Sequence, residues 1–410
     1  MNNKIGIVGA GFSGLYCALT LLDTFPGIFV ELFEQQSFIG GRNKMGRFLN
    51  YPVSNGAGVI RNRDVLLKEL CKRFAIPLKP FTSEIQYQFD TRKKTVKSYI
   101  QQLKKKSQLW SSRETFKQNF ERILGINDYL HFVELCGFSD FHNSDMEYTI
   151  SYYGFEDISS GQKMFAVSWD DLAQAILDYC QASGRFTVHL NCSIQDVHLL
   201  ESSVEIRCGF KSKILDTLIW AGAKPSWQVL TNSLQNSLWQ TSIDQIQGQP
   251  FLRAYAKPLN SKEQVKAKKL YPCTTYFPIS NPLQKIMVIQ KPDTTFYMLS
   301  YSDNDNAQVS IQQLLTASKT NNWLYKQTGI QWDLKTLEIY PHSTGTHYYK
   351  PIGLQDNWKS IKELLTYIQH PHERLFLCNE GLSFNQGWTE GALESALQVC
   401  QFLIHKLTHS

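Results

Sequence analysis

The sequence predicts an α/β fold of more than one domain, built around a parallel sheet. Three observations carry the prediction. A strand, a glycine turn, a helix, a second strand and an acid follow one another within residues 4–34. Another strand runs through a glycine-bearing loop into a helix over residues 374–396. The chain has 410 residues, more than one hydrophobic core usually holds.

The first element is KIGIV, Lys4 to Val8, a short β-rich run. GAGFSG follows at once and places Gly9, Ala10, Gly11 and Gly14. The next stretch, LYCALTLLDTF, has Leu15, Ala18, Leu19 and Leu22 at helical spacing. IFVELF, Ile28 to Phe33, is the second strand, and Glu34 ends it. Each residue type has a reason. Gly9 permits a tight turn off the strand. Gly11 lets the backbone approach a pyrophosphate, and Gly14 lets the helix pack close to the sheet. The helix N-terminus presents free N–H groups to phosphate. Glu34 follows Gly14 by 20 residues, where a carboxylate accepts from ribose hydroxyls and repels a 2′-phosphate. This is a Rossmann-type dinucleotide unit, and the acid argues against NADP.

SFIGGRNKMGR, Ser37 to Arg47, suits a longer cofactor than NAD. Gly40 and Gly41 allow close approach, and Arg42 can neutralise a pyrophosphate. NGAG, Asn55 to Gly58, gives Gly56 and Ala57 in a small-residue stretch able to lie against an isoalloxazine ring. FAD is the expected cofactor.

The middle of the chain holds strand-like runs at Phe186 to Val197, Val204 to Arg207 and Leu215 to Ala221, which alone read as a β-meander. Asp90 to Tyr153 reads as helical and polar, and Pro250 to Pro341 as mixed, with strands such as FLRAYA and TTFYMLSYS. The closing segment is RLFLCNEGLSFNQGWTEGALESA, Arg374 to Ala396.

Composition excludes several classes. No apolar run reaches the roughly 18–20 residues of a bilayer span, and no secretory cleavage pattern precedes the first strand, so a cytoplasmic protein without membrane association is expected. The nine cysteines include no C-x-x-C pair, which argues against a metal site and a disulfide framework; most are expected to be reduced thiols. The net charge of +6 is concentrated between Arg92 and Lys117, a solvated helical face rather than a nucleic-acid site, because few aromatics are interleaved.

GAGFSG with Glu34, GGR at Gly40 to Arg42, GAG at Gly56 to Gly58, LDTLIWAGAKP and the NEG…GWTEGA element together resemble the flavin-containing amine oxidase superfamily. That group includes monoamine, polyamine and L-amino-acid oxidases. The resemblance implies a Rossmann-type FAD-binding domain assembled from residues 1–80, 160–249 and 343–410. An α+β substrate-binding domain, residues 81–159 and 250–342, is inserted into it. Ile194 is the position whose backbone contacts adenine. Glu380 is implied to contact the ribityl–pyrophosphate region, Thr389 opens the helix that faces the flavin, and Trp388 walls the substrate site.

The implied reaction is hydride transfer from an amine or amino acid to flavin N5. The imine is then hydrolysed, and oxygen is reduced to hydrogen peroxide. Three positions depart from the family. Arg253 stands where many members carry a lysine near flavin N5, and arginine stays protonated. Val59 stands where amino-acid oxidases place a carboxylate-binding arginine, with Arg61 two residues on. Ser343 to Pro351 lacks the flavin-linking cysteine of monoamine oxidases, so FAD is expected to bind non-covalently. His347, Tyr348 and Tyr349 in that stretch are candidates for an aromatic wall opposite Trp388. The candidate catalytic residues are therefore Arg253, Trp388, His347 and Tyr349. Two alternatives stay open: a flavoenzyme of another reaction type on this fold (desaturase, isomerase, or dehydrogenase not using oxygen), and a flavin-stabilised binding protein. Oligomeric state is not legible.

Overall fold

The computed structural model describes residues 3–87, 94–272, 275–354 and 357–409. Five parallel strands lie in the order Leu375–Leu377, Thr217–Trp220, Asn3–Val8, Ile28–Phe33 and Phe186–His189. Thr217–Trp220 and Leu375–Leu377 are buried throughout, as expected of parallel strands covered on both faces. Helix Phe12–Thr24 packs against Trp169–Ala182 and the closing helix Thr389–His409. Leu15, Leu19 and Leu22 are buried there, each contributing about 1.5–3 kcal/mol of hydrophobic stabilisation.

The run Phe186 to Val197 divides. Phe186–His189 joins the parallel sheet, and Ile194–Leu199 leaves it to form an antiparallel meander with Val204–Cys208 and Lys211–Leu215. Cys192 and Cys208 pair as a disulfide at that junction, with Cα atoms 5.8 Å apart. Cys17, Cys71, Cys136, Cys180, Cys378 and Cys400 are buried free thiols. Cys273 lies outside the described residues.

A second sheet is antiparallel, in the order Phe277–Pro278, Lys285–Gln290, Thr295–Asp303, Ile246–Pro258 and Trp332–Tyr349. Phe251 to Ala256 is buried without alternation, because both faces are covered. Leu252, Ala254 and Ala256 enter one apolar cluster with residues of helices Ser261–Leu270 and Asn304–Leu315, while Tyr255 packs with Phe48 on the other face. Arg253 shares the face of Tyr255, by the two-residue period of a strand. Strand Trp332–Tyr349 runs through the expected boundary at residue 342, so that boundary falls inside an element.

Helices Val96–Lys105, Phe116–Leu124, Ile126–Cys136 and Met146–Tyr152 form the helical insertion. Thr95 with Ser98, and Thr115 with Gln118, are capping boxes that start the first two. The polar reading of this segment is corrected by its core, where Tyr99, Phe116, Phe120, Phe132, Phe141 and Phe155 pack together. Asp90, Arg92 and Lys93 of that reading lie outside the described residues. Lys97, Lys104, Lys105 and Lys106 are exposed, as a solvated face requires. Among the described residues, no helix is long and apolar enough to cross a membrane, and no group of His, Cys, Asp and Glu side chains could hold a metal ion.

Candidate cofactor and active site

The glycine turn has the geometry its sequence requires. Gly9 adopts φ +106°. A Cβ on Gly14 would lie 1.9 Å from the Gly9 carbonyl oxygen, so only glycine fits. A Cβ on Gly11 would meet nothing within 4 Å. Gly11 is also the N-cap of helix Phe12–Thr24, with no side-chain cap bond and no acid in the first turn. A bare, positive helix end thus opens onto space that Gly11 leaves free, which fits a pyrophosphate.

Glu34 is buried at the end of its strand. Its carboxylate accepts from the N–H of Ala10 at 2.7 Å and of Gln36 at 2.9 Å. Two oxygens offer about four lone-pair sites, so acceptor capacity for ribose hydroxyls remains. Ile194 begins the meander and is buried. The N–H of Cys192, two residues earlier, donates to the Glu34 carbonyl at 2.8 Å.

The Gly40–Arg42 segment folds back onto this turn. The N–H of Gly40 donates to the Ala10 carbonyl at 2.8 Å, and a Cβ on Gly41 would lie 3.2 Å from Gly11 Cα. The N–H of Ala57 donates to the Arg42 carbonyl at 3.2 Å, and a Cβ on Gly56 would sit 2.2 Å from that oxygen. Asn43 Nδ2 donates to Thr389 Oγ1 at 2.8 Å, tying the segment to the closing helix.

Arg42 and Glu380, both expected near the cofactor's pyrophosphate, are joined to each other in the structure. Arg42 Nη2 donates to Glu380 Oε2 at 2.8 Å, and Nη1 to the Gly345 carbonyl at 2.7 Å. His347 Nδ1 lies 2.8 Å from the same Oε2, and the Gly387 N–H donates to Oε1 at 2.8 Å. Burial opposes ionisation of Glu380, but Arg42, His347 and the Gly387 N–H outweigh it and hold the carboxyl below its ordinary range.

Arg253 is not a surface residue, being 6% exposed. Its guanidinium carbon lies 4.3 Å from the centre of the Tyr301 ring, and Nη1 lies 3.4 Å from Met298 Sδ. Nε has no hydrogen-bond partner, and Arg253 forms no ion pair with a carboxylate among the described residues. A Cβ on Gly58 would lie 2.8 Å from Nη2, so this glycine makes room for the cation. Lys285 Nζ, fully buried, lies 4.2 Å from the Tyr301 ring centre and 3.1 Å from that of Phe138. Burial pushes the Lys285 amine down to about 7.

His342, absent from the sequence-based candidates, feels the charges of both Arg42 and Arg253. Its Nε2 is 2.8 Å from Asn55 Oδ1. Burial, with Arg42 and Arg253 adding to it, pushes its pKa down to about 4, which keeps the ring neutral at pH 7. Only the pairing of Phe251 with His342 across two distant strands reveals this position.

The expected aromatic slot is not formed as anticipated. The Arg61 guanidinium covers the Trp388 ring at 3.9 Å. Arg61 itself is 1% exposed and held by Asp64 at 2.7 Å and Asp157 at 3.5 Å, so its valence for a substrate carboxylate is already met within the chain. His347 and Tyr349 share one face of their strand and point at the Glu380–Ser383 turn. His347 binds Glu380, and the Tyr349 hydroxyl lies 3.0 and 2.8 Å from the carbonyl oxygens of Gly381 and Ser383, between which its one proton is shared. Tyr349 is fully buried, so it anchors the turn and forms no wall of an open slot. Tyr348 lines a small cavity together with His347, Asp140, Tyr148 and Gln386.

A bare helix end at a glycine turn, with an acid at the next strand's tip, defines a nucleotide-binding Rossmann-like protein. Residues 7–74 match the family model of the NAD(P)-binding Rossmann-like domain. The whole chain has the fold of the flavin amine oxidases. It superposes on wild-type putrescine oxidase bound to putrescine at TM-score 0.74, with 13% identity and 99% of each chain covered. Cyclohexylamine oxidase from Brevibacterium oxydans IH-35A gives TM-score 0.70 at 14% identity, covering 98% of this chain and 100% of that one. A structure described as a protoporphyrinogen oxidase from Exiguobacterium sp. 255-15 gives 0.72 at 11% identity, covering 98% and 99%. No curated protein sequence matches the chain.

Proposed function

We propose that this chain is an FAD-dependent oxidoreductase that oxidises a small amine or amino acid in the cytoplasm, with oxygen reduced to hydrogen peroxide. The observation that carries the reading is the uncapped helix N-terminus at Gly11, open to space and flanked by Glu34. Bound non-covalently, FAD supplies the hydride acceptor.

The chain's residues have separable tasks in this reading. Gly9, Ala10, Gly11 and Gly14 admit the pyrophosphate to the helix end, and Glu34 accepts from ribose. Ile194 lies at the adenine end. Gly41, Arg42, Gly56, Ala57, Glu380, Trp388 and Thr389 belong to the flavin end. Glu380 fixes Arg42 and His347 in place, so His347 is a positioning residue. Residues 1–80, 160–249 and 343–410 hold the cofactor, and 81–159 and 250–342 build the substrate side. Arg253 is the candidate that touches the reacting end. It cannot titrate as a base, so it holds positive charge where negative charge accumulates.

The experiment is direct. Purified protein carries flavin absorbance, anaerobic addition of a substrate amine bleaches it, and re-aeration yields peroxide. Absence of bleaching across a panel of amines and amino acids refutes the amine reading. A colourless protein that takes up no added FAD refutes the cofactor. A second reading, a same-fold flavoenzyme of another reaction type, is favoured by Arg253 alone: a permanent buried cation repels an incoming ammonium group. Bleaching by non-amine substrates would support it.

A further inference from the structure

We propose that Cys192 and Cys208 form a peroxide-oxidised modification site that governs how tightly the adenine end of the cofactor cleft holds its ligand. The inference rests on the FAD reading above. Its physical basis is position. Cys192 and Cys208 are partly exposed, whereas the other six described cysteines are buried, so oxidants and reductants reach this pair preferentially. Their Cα atoms are 5.8 Å apart, within the range that a disulfide spans.

The pair sits against the ribose acid. The Cys192 N–H donates to the Glu34 carbonyl at 2.8 Å, and the Asn191 N–H to the Gln36 carbonyl at 3.0 Å. Those two bonds dock the segment between the parallel sheet and the meander onto the wall that carries the Glu34 carboxylate. On the other side, Cys208 is the ladder partner of Ile194, at a register shift between Arg207 and Cys208. The disulfide therefore ties the Glu34 wall to the Val204–Cys208 strand, and Ile194 lies between the two anchor points. Reduced, the same segment keeps its backbone bonds and the apolar packing of Ile194 but loses the covalent tie. A site ordered before binding loses less entropy on binding, so the oxidised form holds FAD more tightly.

The oxidant is hydrogen peroxide, the product of the proposed reaction. One thiolate attacks a peroxide oxygen, the O–O bond breaks, and a sulfenic acid and hydroxide form, the hydroxide taking a proton to leave as water. The second thiol displaces the sulfenic hydroxyl, its proton leaves in a second water, and the S–S bond closes. Two thiols are oxidised by two electrons and one peroxide is reduced.

The test uses the full chain. Protein is treated with hydrogen peroxide or with dithiothreitol, and differential alkylation with peptide mass mapping reads the state of each cysteine. FAD affinity of each form, stripped of flavin, is then measured by quenching of flavin fluorescence. The oxidised form is expected to contain a Cys192–Cys208 peptide and to bind FAD about threefold or more tightly than the reduced form. The C192S/C208S variant should match the reduced form and ignore peroxide. Thermal unfolding of that variant reports whether it is folded, and the wild-type redox comparison stands without it. Both cysteines alkylated after peroxide, or affinities within about twofold, overturn the inference. No FAD uptake by either form overturns the cofactor reading and this inference with it; equal uptake overturns the inference alone.

Discussion

Replacing Glu380 by glutamine removes one charge from a site where three donors converge. The carboxylate is 6% exposed and Arg42 is 29% exposed. Breaking a buried ion pair by deleting one partner costs about 3–5 kcal/mol. Solvent at Arg42 screens part of that, and the amide retains one acceptor, so the expected loss is about 2–3 kcal/mol. Unfolding entropy of about 2.1 cal/mol/K per residue over 410 residues converts this to a fall in Tm of about 2–4 °C. The pH dependence follows from the direction of the shift. Glu380 is depressed in the folded protein, so its contribution is fully present above the unfolded value of about 4.3 and is lost as pH falls toward the folded value. The gap between wild type and E380Q should therefore hold from pH 7 to 5 and shrink by about 1.4 kcal/mol per pH unit below 4. Denaturant titrations at pH 7, 5 and 3.5 measure it. A gap under about 0.5 kcal/mol at pH 7, or one unchanged at pH 3.5, refutes the reasoning.

Three further outcomes are expected. Gly11→Ala should leave the flavin-free protein within about 0.5 kcal/mol of wild type, because the Cβ meets nothing, yet lower FAD affinity; Gly14→Ala should destabilise the protein itself, because its Cβ would meet the Gly9 carbonyl at 1.9 Å. Equal flavin retention by Gly11→Ala would remove the case for the cleft. Arg253→Met should be as stable as wild type or more so, since it deletes a buried charge with an unpartnered Nε, while slowing flavin bleaching by substrate; a large stability loss would mean that the contacts with Tyr301 and Met298 outweigh the cost of burying the charge. Lys285→Met should flatten the pH dependence of stability. The amine sits at about 7 in the fold and about 10.4 unfolded, so the unfolded state binds the extra proton between these values and wild-type stability rises with pH across that window. The variant's advantage is thus largest near pH 7 and smallest near pH 10, and parallel pH profiles for the two proteins would overturn the assignment.

The glycine turn and the strands beside it were the most legible part of the chain. Gly9, Gly11, Gly14 and Glu34 lie close in sequence, and each residue type answers a local backbone or hydrogen-bond demand. The strands at Thr217–Trp220 and Leu375–Leu377 were legible for a related reason, since parallel strands covered on both faces are short, largely apolar runs. The substrate side was not legible. His347 and Tyr349 looked like an open aromatic wall, but strand parity turns both toward the Glu380–Ser383 turn. The sequence leaves a carboxylate-binding role for Arg61 open, and Asp64 and Asp157 already hold it.

By itself, then, the sequence determined the Rossmann-type turn and the acid at the tip of the next strand, because those interactions are made within one βαβ unit. Only the tertiary structure decided that Arg42 belongs to Glu380, that Arg253 is a buried cation between Gly58 and Tyr301, and that His342 stands beside them. These partners are about 50 to more than 300 residues apart in the chain. Which side chains meet across such distances is set by strand register and face, and a shift of one residue in either strand would exchange every partner.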